Sequence, residues 1–240
     1  MVTAAAVDSP VFTHLKGLTV SVKENVFKTA SDKSAADEPV LQGPSLADMI
    51  DKATASMKTK KFDEAVPIWE QLIDIKPGDA YFIQQLTLAT YKLEKPDAIT
   101  ANKKAYSILE KLKPLTSIDT ETLGMAGAIH KNLYKLTGDK SYLEKSLRFY
   151  ERGYYIANDY YNGINAAFLY WKMAAEALDK EQTQFYKMQA VHIDKQVIDI
   201  CNDLKAQEDY SKSAEREWVT NTLAEAYFGL DDVNALNNIL

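Results

Sequence analysis

From Ser45 onward the chain alternates between apolar stripes at helical spacing and short polar breaks. In SLADMIDKATASMKTKKFDEAVPIWEQLIDIKPGD, the residues Leu46, Met49, Ile50, Ala53 and Met57 share one helical face. The pattern breaks at KTKK, resumes with Phe62, Ala65, Trp69, Leu72 and Ile73, and closes at Pro77 and Gly78. That spacing predicts two amphipathic helices joined by a tight turn. Ala53 and Ala65 are small where antiparallel helices cross closely, and Trp69 is large where a hole needs filling. Pro67 is expected in the first turn of the second helix, where its missing N–H costs little.

The same pattern recurs. A second unit from Ala80 to Leu115 carries Ile83, Leu86, Ala89 and Leu93, breaks at Pro96, and continues with Ala101, Ala105, Tyr106 and Leu109 before Pro114. A third, from Ile118 to Ala157, turns at Gly138 and Asp139. A fourth runs from Asp159 to about Leu204, and a fifth starts near Ala214 with Trp218, Thr222, Ala226 and Tyr227. One hairpin exposes too much apolar surface to stand alone, so the units are expected to stack into a curved solenoid with a concave binding face.

The spacing resembles the tetratricopeptide repeat, a unit of about 34 residues with small residues at the helix crossing and a proline after the second helix. The expected fold is all-α: a right-handed α-solenoid of about five antiparallel hairpins over residues 45–240, preceded by a poorly structured segment, 1–44, rich in small and charged residues. Within that segment Leu18 to Val22 alternates as a short strand would. The sequence stops at Leu240 within the expected second helix of the fifth unit, without a polar capping helix. Expected consequences are a homo-oligomer through that uncapped helix, or continuation into a fused effector or signalling domain.

A narrower resemblance lies in ETLGMAGAIHKNLYKLTGDKSYLEKSLRFYERGYY, YYNGINAAFL and EWVTNTLAEAYF. These stretches are similar to the TRAF-binding domain of apoptosis signal-regulating kinases and its bacterial relatives. The elements that carry the match are Glu121, Thr122, Leu123, Gly127 and Lys131, then Tyr150, Arg152 and Gly153, then Tyr161, Gly163, Ile164, Asn165 and Ala166. Where the family pattern has an arginine, a tyrosine and an acid, this chain has Ala128, His130 and Asn132. The resemblance implies a non-catalytic regulatory scaffold. The expected partner-binding residues are Glu121, Lys131, Tyr134, Arg152, Tyr161, Asn165 and Tyr170. Each has a structural alternative: Lys131 as a solvated lysine, Asn165 as a backbone partner near a helix start, and most of the tyrosines as core with wet hydroxyls.

Composition narrows the function. The balance of 28 Lys plus Arg against 34 Asp plus Glu, a net charge of −6, argues against a nucleic-acid face. No apolar run reaches the roughly 18 residues a membrane span needs. The single cysteine, Cys201, lies in an apolar helical pattern and reads as an inert buried thiol, which fits a reducing, cytoplasmic setting. His14, His130 and His192 are too scattered for a ligand set, and phosphate-loop, dinucleotide and nucleophile-elbow motifs are lacking, so neither metal, cofactor nor enzyme activity is expected. The expected function is a scaffold binding a protein or peptide partner or an attached effector module. The alternative is a small-molecule or nucleotide-sensing repeat domain.

Overall fold

The computed structural model describes residues 44–237, and among these the only regular elements are helices. In chain order they are α1 Leu46–Lys58, α2 Phe62–Ile75, α3 Ala80–Leu93, α4 Ala98–Leu109, α5 Thr120–Thr137, α6 Lys140–Ala157, α7 Tyr160–Glu176, α8 Lys180–Lys205, α9 Arg216–Gly229 and the short α10 Val233–Asn237. Two 3₁₀ turns, Glu110–Leu112 and Tyr210–Lys212, follow α4 and α8. The expected strand at residues 18–22 lies outside the described residues.

An acid marks the start of most helices. Ser45 caps α1 in a reciprocal box: its hydroxyl accepts from the Asp48 N–H, and the Asp48 carboxylate accepts from the Ser45 N–H, both at 3.1 Å. Asp79, Asp97, Asp119, Asp139, Asp159 and Asp179 then cap α3 to α8 in turn, each accepting a backbone N–H from the first turn. The aspartates also place negative charge at the positive ends of the helix dipoles. Helix ends use the opposite device: Glu94, Gly138 and Asn158 follow α3, α5 and α6 with positive φ, turning the chain back for the next helix.

Pro67 departs from expectation. It sits well inside α2, five residues after Phe62, rather than in the first turn. The helix starts at Phe62 because that ring packs on the core and Asp63 and Glu64 suit the first turn, so Pro67 costs the bond to the Asp63 carbonyl.

The helices stack as successive antiparallel pairs, each packing on the next. First helices also touch the next first helices: α3 meets α5, α5 meets α7, and α7 meets α9. This closer approach on one side bends the stack, so α3, α5, α7 and α9 form the concave wall of a helical solenoid. Covered by neighbours on several sides, α3 is buried at every position from Phe82 to Tyr91 except Gln84.

The core forms two apolar clusters that meet at α6, where the neighbours Phe149 and Tyr150 face opposite ways into them. Ala53, Ala65 and Trp69 are fully buried as the helix-crossing argument requires, and Trp69 meets Tyr81 edge-on at 5.6 Å. At Gly127 α5 and α6 approach closely: a Cβ there would lie 2.7 Å from the Tyr150 ring. Gly163 plays the same part for α7, where a Cβ would meet Val197 of α8 at 2.6 Å.

Candidate functional site

Tyr161, Asn165 and Phe168 recur on α7 at the spacing of one helical stripe, and all three face the concave wall or its immediate neighbours. On α5 the facing residues are Glu121, Ala128 and Lys131, and on α9 Glu225 faces Lys131. The apolar rings Phe168 and Phe228 are left 54% and 69% exposed, more than core packing would allow.

Lys131 is the centre of this arrangement. Its Nζ donates to Oδ1 of Asn165 at 2.5 Å and stands over the rings of Tyr150 and Phe168, 5.5 and 5.7 Å from their centroids. Burial lowers its pKa to about 8, with Glu225 pulling it back up and Lys135 adding to the depression. No carboxylate among the described residues reaches ion-pair distance of the amine. The other end of the Asn165 amide donates to the Tyr161 carbonyl at 2.8 Å, as the reading of Asn165 as a backbone partner expects.

Toward the start of α5, the Glu121 carboxyl is hemmed in by protein yet open to the groove. Burial raises its pKa to about 8, and the charges of Asp119 and Asp159 push it the same way. Both of those aspartates are committed: Asp119 accepts from the Thr122 N–H at 3.0 Å and from Gln84 Nε2 at 2.7 Å, and Asp159 accepts from the Asn162 N–H at 2.7 Å. Glu121 has no hydrogen bond or ion pair among the described residues. Between the two poles lies Tyr150, which hydrogen-bonds Tyr161, with its phenol held well above the usual range by burial and then by the Tyr161 charge. Gly124 and Gly127 give α5 the bare backbone against which Tyr161 and Tyr150 lie.

Four expected site residues, Glu121, Lys131, Tyr161 and Asn165, therefore share this wall. The other three do not join it. Tyr134 donates to Glu176, which also meets Lys172 at 3.2 Å and Lys140 at 3.5 Å, forming a separate polar cluster at the end of α7. Arg152 on α6 donates to the Leu115 carbonyl at 2.5 Å, pinning the connection between the second and third units. Tyr170 is buried, donates to Glu151 at 2.5 Å and packs on Tyr186, between α6 and α8.

Most of the clustered tyrosines are core, with Tyr150, Tyr154, Tyr160 and Tyr170 buried, Tyr161 half-buried and Tyr155 exposed. The expected wet hydroxyls are not seen: Tyr154 and Tyr170 donate to Gln196 and Glu151, and the Tyr160 hydroxyl is buried without a partner among the described residues. His130 is core, its Nδ1 2.8 Å from the Ala126 carbonyl and its ring 4.6 Å from Tyr106, and burial lowers its pKa. Cys201 is fully buried and its thiol is pushed up to about 12 by burial, as an inert thiol should be. Phe168 and Glu225 escape the sequence reading, although Phe168 lies three residues after Asn165 and completes its stripe. Among the described residues no group of three His, Cys, Asp or Glu side chains is placed to hold a metal ion, and no helix is long and apolar enough to cross a membrane.

Residues 61–170 match the family described as Tetratricopeptide Repeats-Sensor. No curated protein matches the chain. Among solved structures, one titled "Crystal structure of MamA protein" is 12% identical, with a TM-score of 0.48 over 81% of this chain and 85% of that one. The family match spans α2 to most of α7 and so includes all four clustered residues. This chain carries a tetratricopeptide-repeat-like helical domain.

Proposed function

We propose that the chain is a non-catalytic protein-interaction module whose concave wall, centred on Lys131, Asn165 and Tyr161, receives a segment of a partner protein or of an attached effector module. The observation that carries this reading is the exposure of Phe168 directly beside Lys131 and Asn165. An apolar ring with a polar anchor at its edge is the usual make-up of a binding hot spot. The finer resemblance would make the partner a TRAF-like adaptor in a cytoplasmic signalling assembly; Glu121, Lys131, Tyr161 and Asn165 support it through the motif they share with that family.

The test is selection of a displayed 12-residue peptide library on the whole chain. Enriched peptides should lose binding to Phe168→Asp on the concave wall and keep it on Tyr155→Asp on the outer face. Enrichment that ignores Phe168→Asp, or none at all, would contradict the reading. The matched family's description includes the word sensor, which for this chain names the competing outcome of a small ligand on the same wall. A rise in melting temperature with nucleotides, together with no enriched peptide, would replace the interaction reading.

A further inference from the structure

The concave wall holds an acid and a base that the fold leaves without an ion-pair partner. Lys131 and Glu121 are both half-buried on α5 and both face the groove, yet neither forms an ion pair among the described residues. They are not each other's partners. Ten residues of helix separate them, about 15 Å along the axis, and neither perturbs the other's ionisation.

The surroundings sharpen each pole. Around Glu121 every nearby charge is negative, from Asp119 and Asp159, so the pole attracts a cation. Around Lys131 the amine has one neutral acceptor, Asn165, and two ring faces, with Lys135 adding positive field and Glu225 opposing it from α9. An incoming carboxylate would gain a charge-assisted bond from a desolvated donor that Asn165 already holds in place. Between the poles the half-buried Tyr161 lies against α5, and Phe168 stands exposed.

Building on the interaction reading, we propose that the wall recognises an extended peptide segment bearing a basic side chain and an acidic side chain about four residues apart, the base at Glu121 and the acid at Lys131. At roughly 3.3 Å per residue, four residues of extended chain span about 13 Å, and side chains four apart lie on the same face. Phe168 takes an apolar side chain of the same segment.

The same display selection, followed by synthetic capped peptides, tests this on the 240-residue chain. Enriched sequences should carry the paired charges. Replacing the peptide's basic residue with Gln should weaken binding about tenfold on the wild type and hardly at all on Glu121→Gln. Replacing its acidic residue with Gln or Asn should do the same on the wild type and hardly at all on Lys131→Met. Circular dichroism melts show whether each variant is folded. Should either fail to fold, calorimetry of the wild type at pH 7 in two buffers of different ionisation enthalpy should still detect net proton release on binding, as the carboxyl ionises beside its new cation.

Enriched peptides without the paired charges, penalties that persist in the matched variants, or binding without proton release would overturn the bipolar proposal. If such peptides still lose binding to Phe168→Asp, the interaction reading stands and only the charge assignment falls. If nothing binds the concave wall, both fall together.

Discussion

Lys131 on α5 and Asn165 on α7, 34 residues apart, meet at 2.5 Å across the concave wall, so one hydrogen bond ties the third repeat to the fourth. The bond joins first helices, as Gln84 of α3 does with Asp119 and Thr122 at the start of α5, and as Tyr134 of α5 does with Glu176 of α7. Truncating Asn165 to Ala would strand a desolvated amine and release the Tyr161 carbonyl contact. The expected cost is about 1–3 kcal/mol. Lys131→Met keeps the apolar stem against Tyr150 and removes the charge, so its stability should fall little if at all. Urea titrations of both variants check the contrast, and equal losses would contradict it.

A second prediction concerns pH. Asp194 on α8 is buried, accepts from Trp171 Nε1 at 2.8 Å, and lies against Gly229 of α9. Burial raises its pKa to about 7, the Trp171 bond opposing and Glu225 adding to the rise. A raised acid favours the folded state while protonated. Its contribution is complete below the unfolded value near 4 and is lost as pH climbs through about 7. Glu121 acts in the same direction, between its ordinary value of 4.5 and about 8. His130, with its pKa lowered, acts the opposite way up to its ordinary 6.5, so stability should decline from pH 6.5 to pH 8, and both Asp194→Asn and Glu121→Gln should flatten the decline. Melts at several pH values measure it; a wild-type stability rising over that range would contradict the assignment.

Gly127→Ala should destabilise in spite of alanine's better helix propensity. The propensity gain is about 1 kcal/mol. Against it, a methyl 2.7 Å from the Tyr150 ring forces α5 and α6 apart, an overpacking cost of about 1–3 kcal/mol or more. A lower melting temperature is expected, and pairing the change with Tyr150→Leu should recover part of the loss.

Cys201 should be silent to thiol reagents in the native chain. It is fully exposed only on unfolding, and its raised pKa leaves almost no thiolate at neutral pH. Labelling with a maleimide or an aromatic disulfide should proceed at the unfolding rate, and fast labelling without denaturant would contradict the buried position.

The hairpins were readable because their apolar positions follow one local period: Ala53, Ala65, Trp69 and Leu72 announce a crossing whatever lies beyond the unit. The six capping aspartates, some 20 residues apart from Asp79 to Asp179, were an equally local signal. What the period does not encode is which side chains meet between units. Lys131 and Asn165 were readable as groove residues, but their bond depends on the offset between α5 and α7. Arg152 lies in the matched motif and Tyr170 just past it, yet their partners, the Leu115 carbonyl and Glu151, turn both away from the wall. Pro67 misled because first-turn tolerance and interior tolerance look alike until the helix start is known.

Hydrogen exchange of the whole chain, with and without a peptide enriched on the wild type, tests the central claim most directly. The concave wall as binding surface predicts added protection in α5 around Lys131 and in α7 around Asn165, with α6 and α8 unchanged. Protection confined to α6 and α8, or none above the free chain, would contradict it.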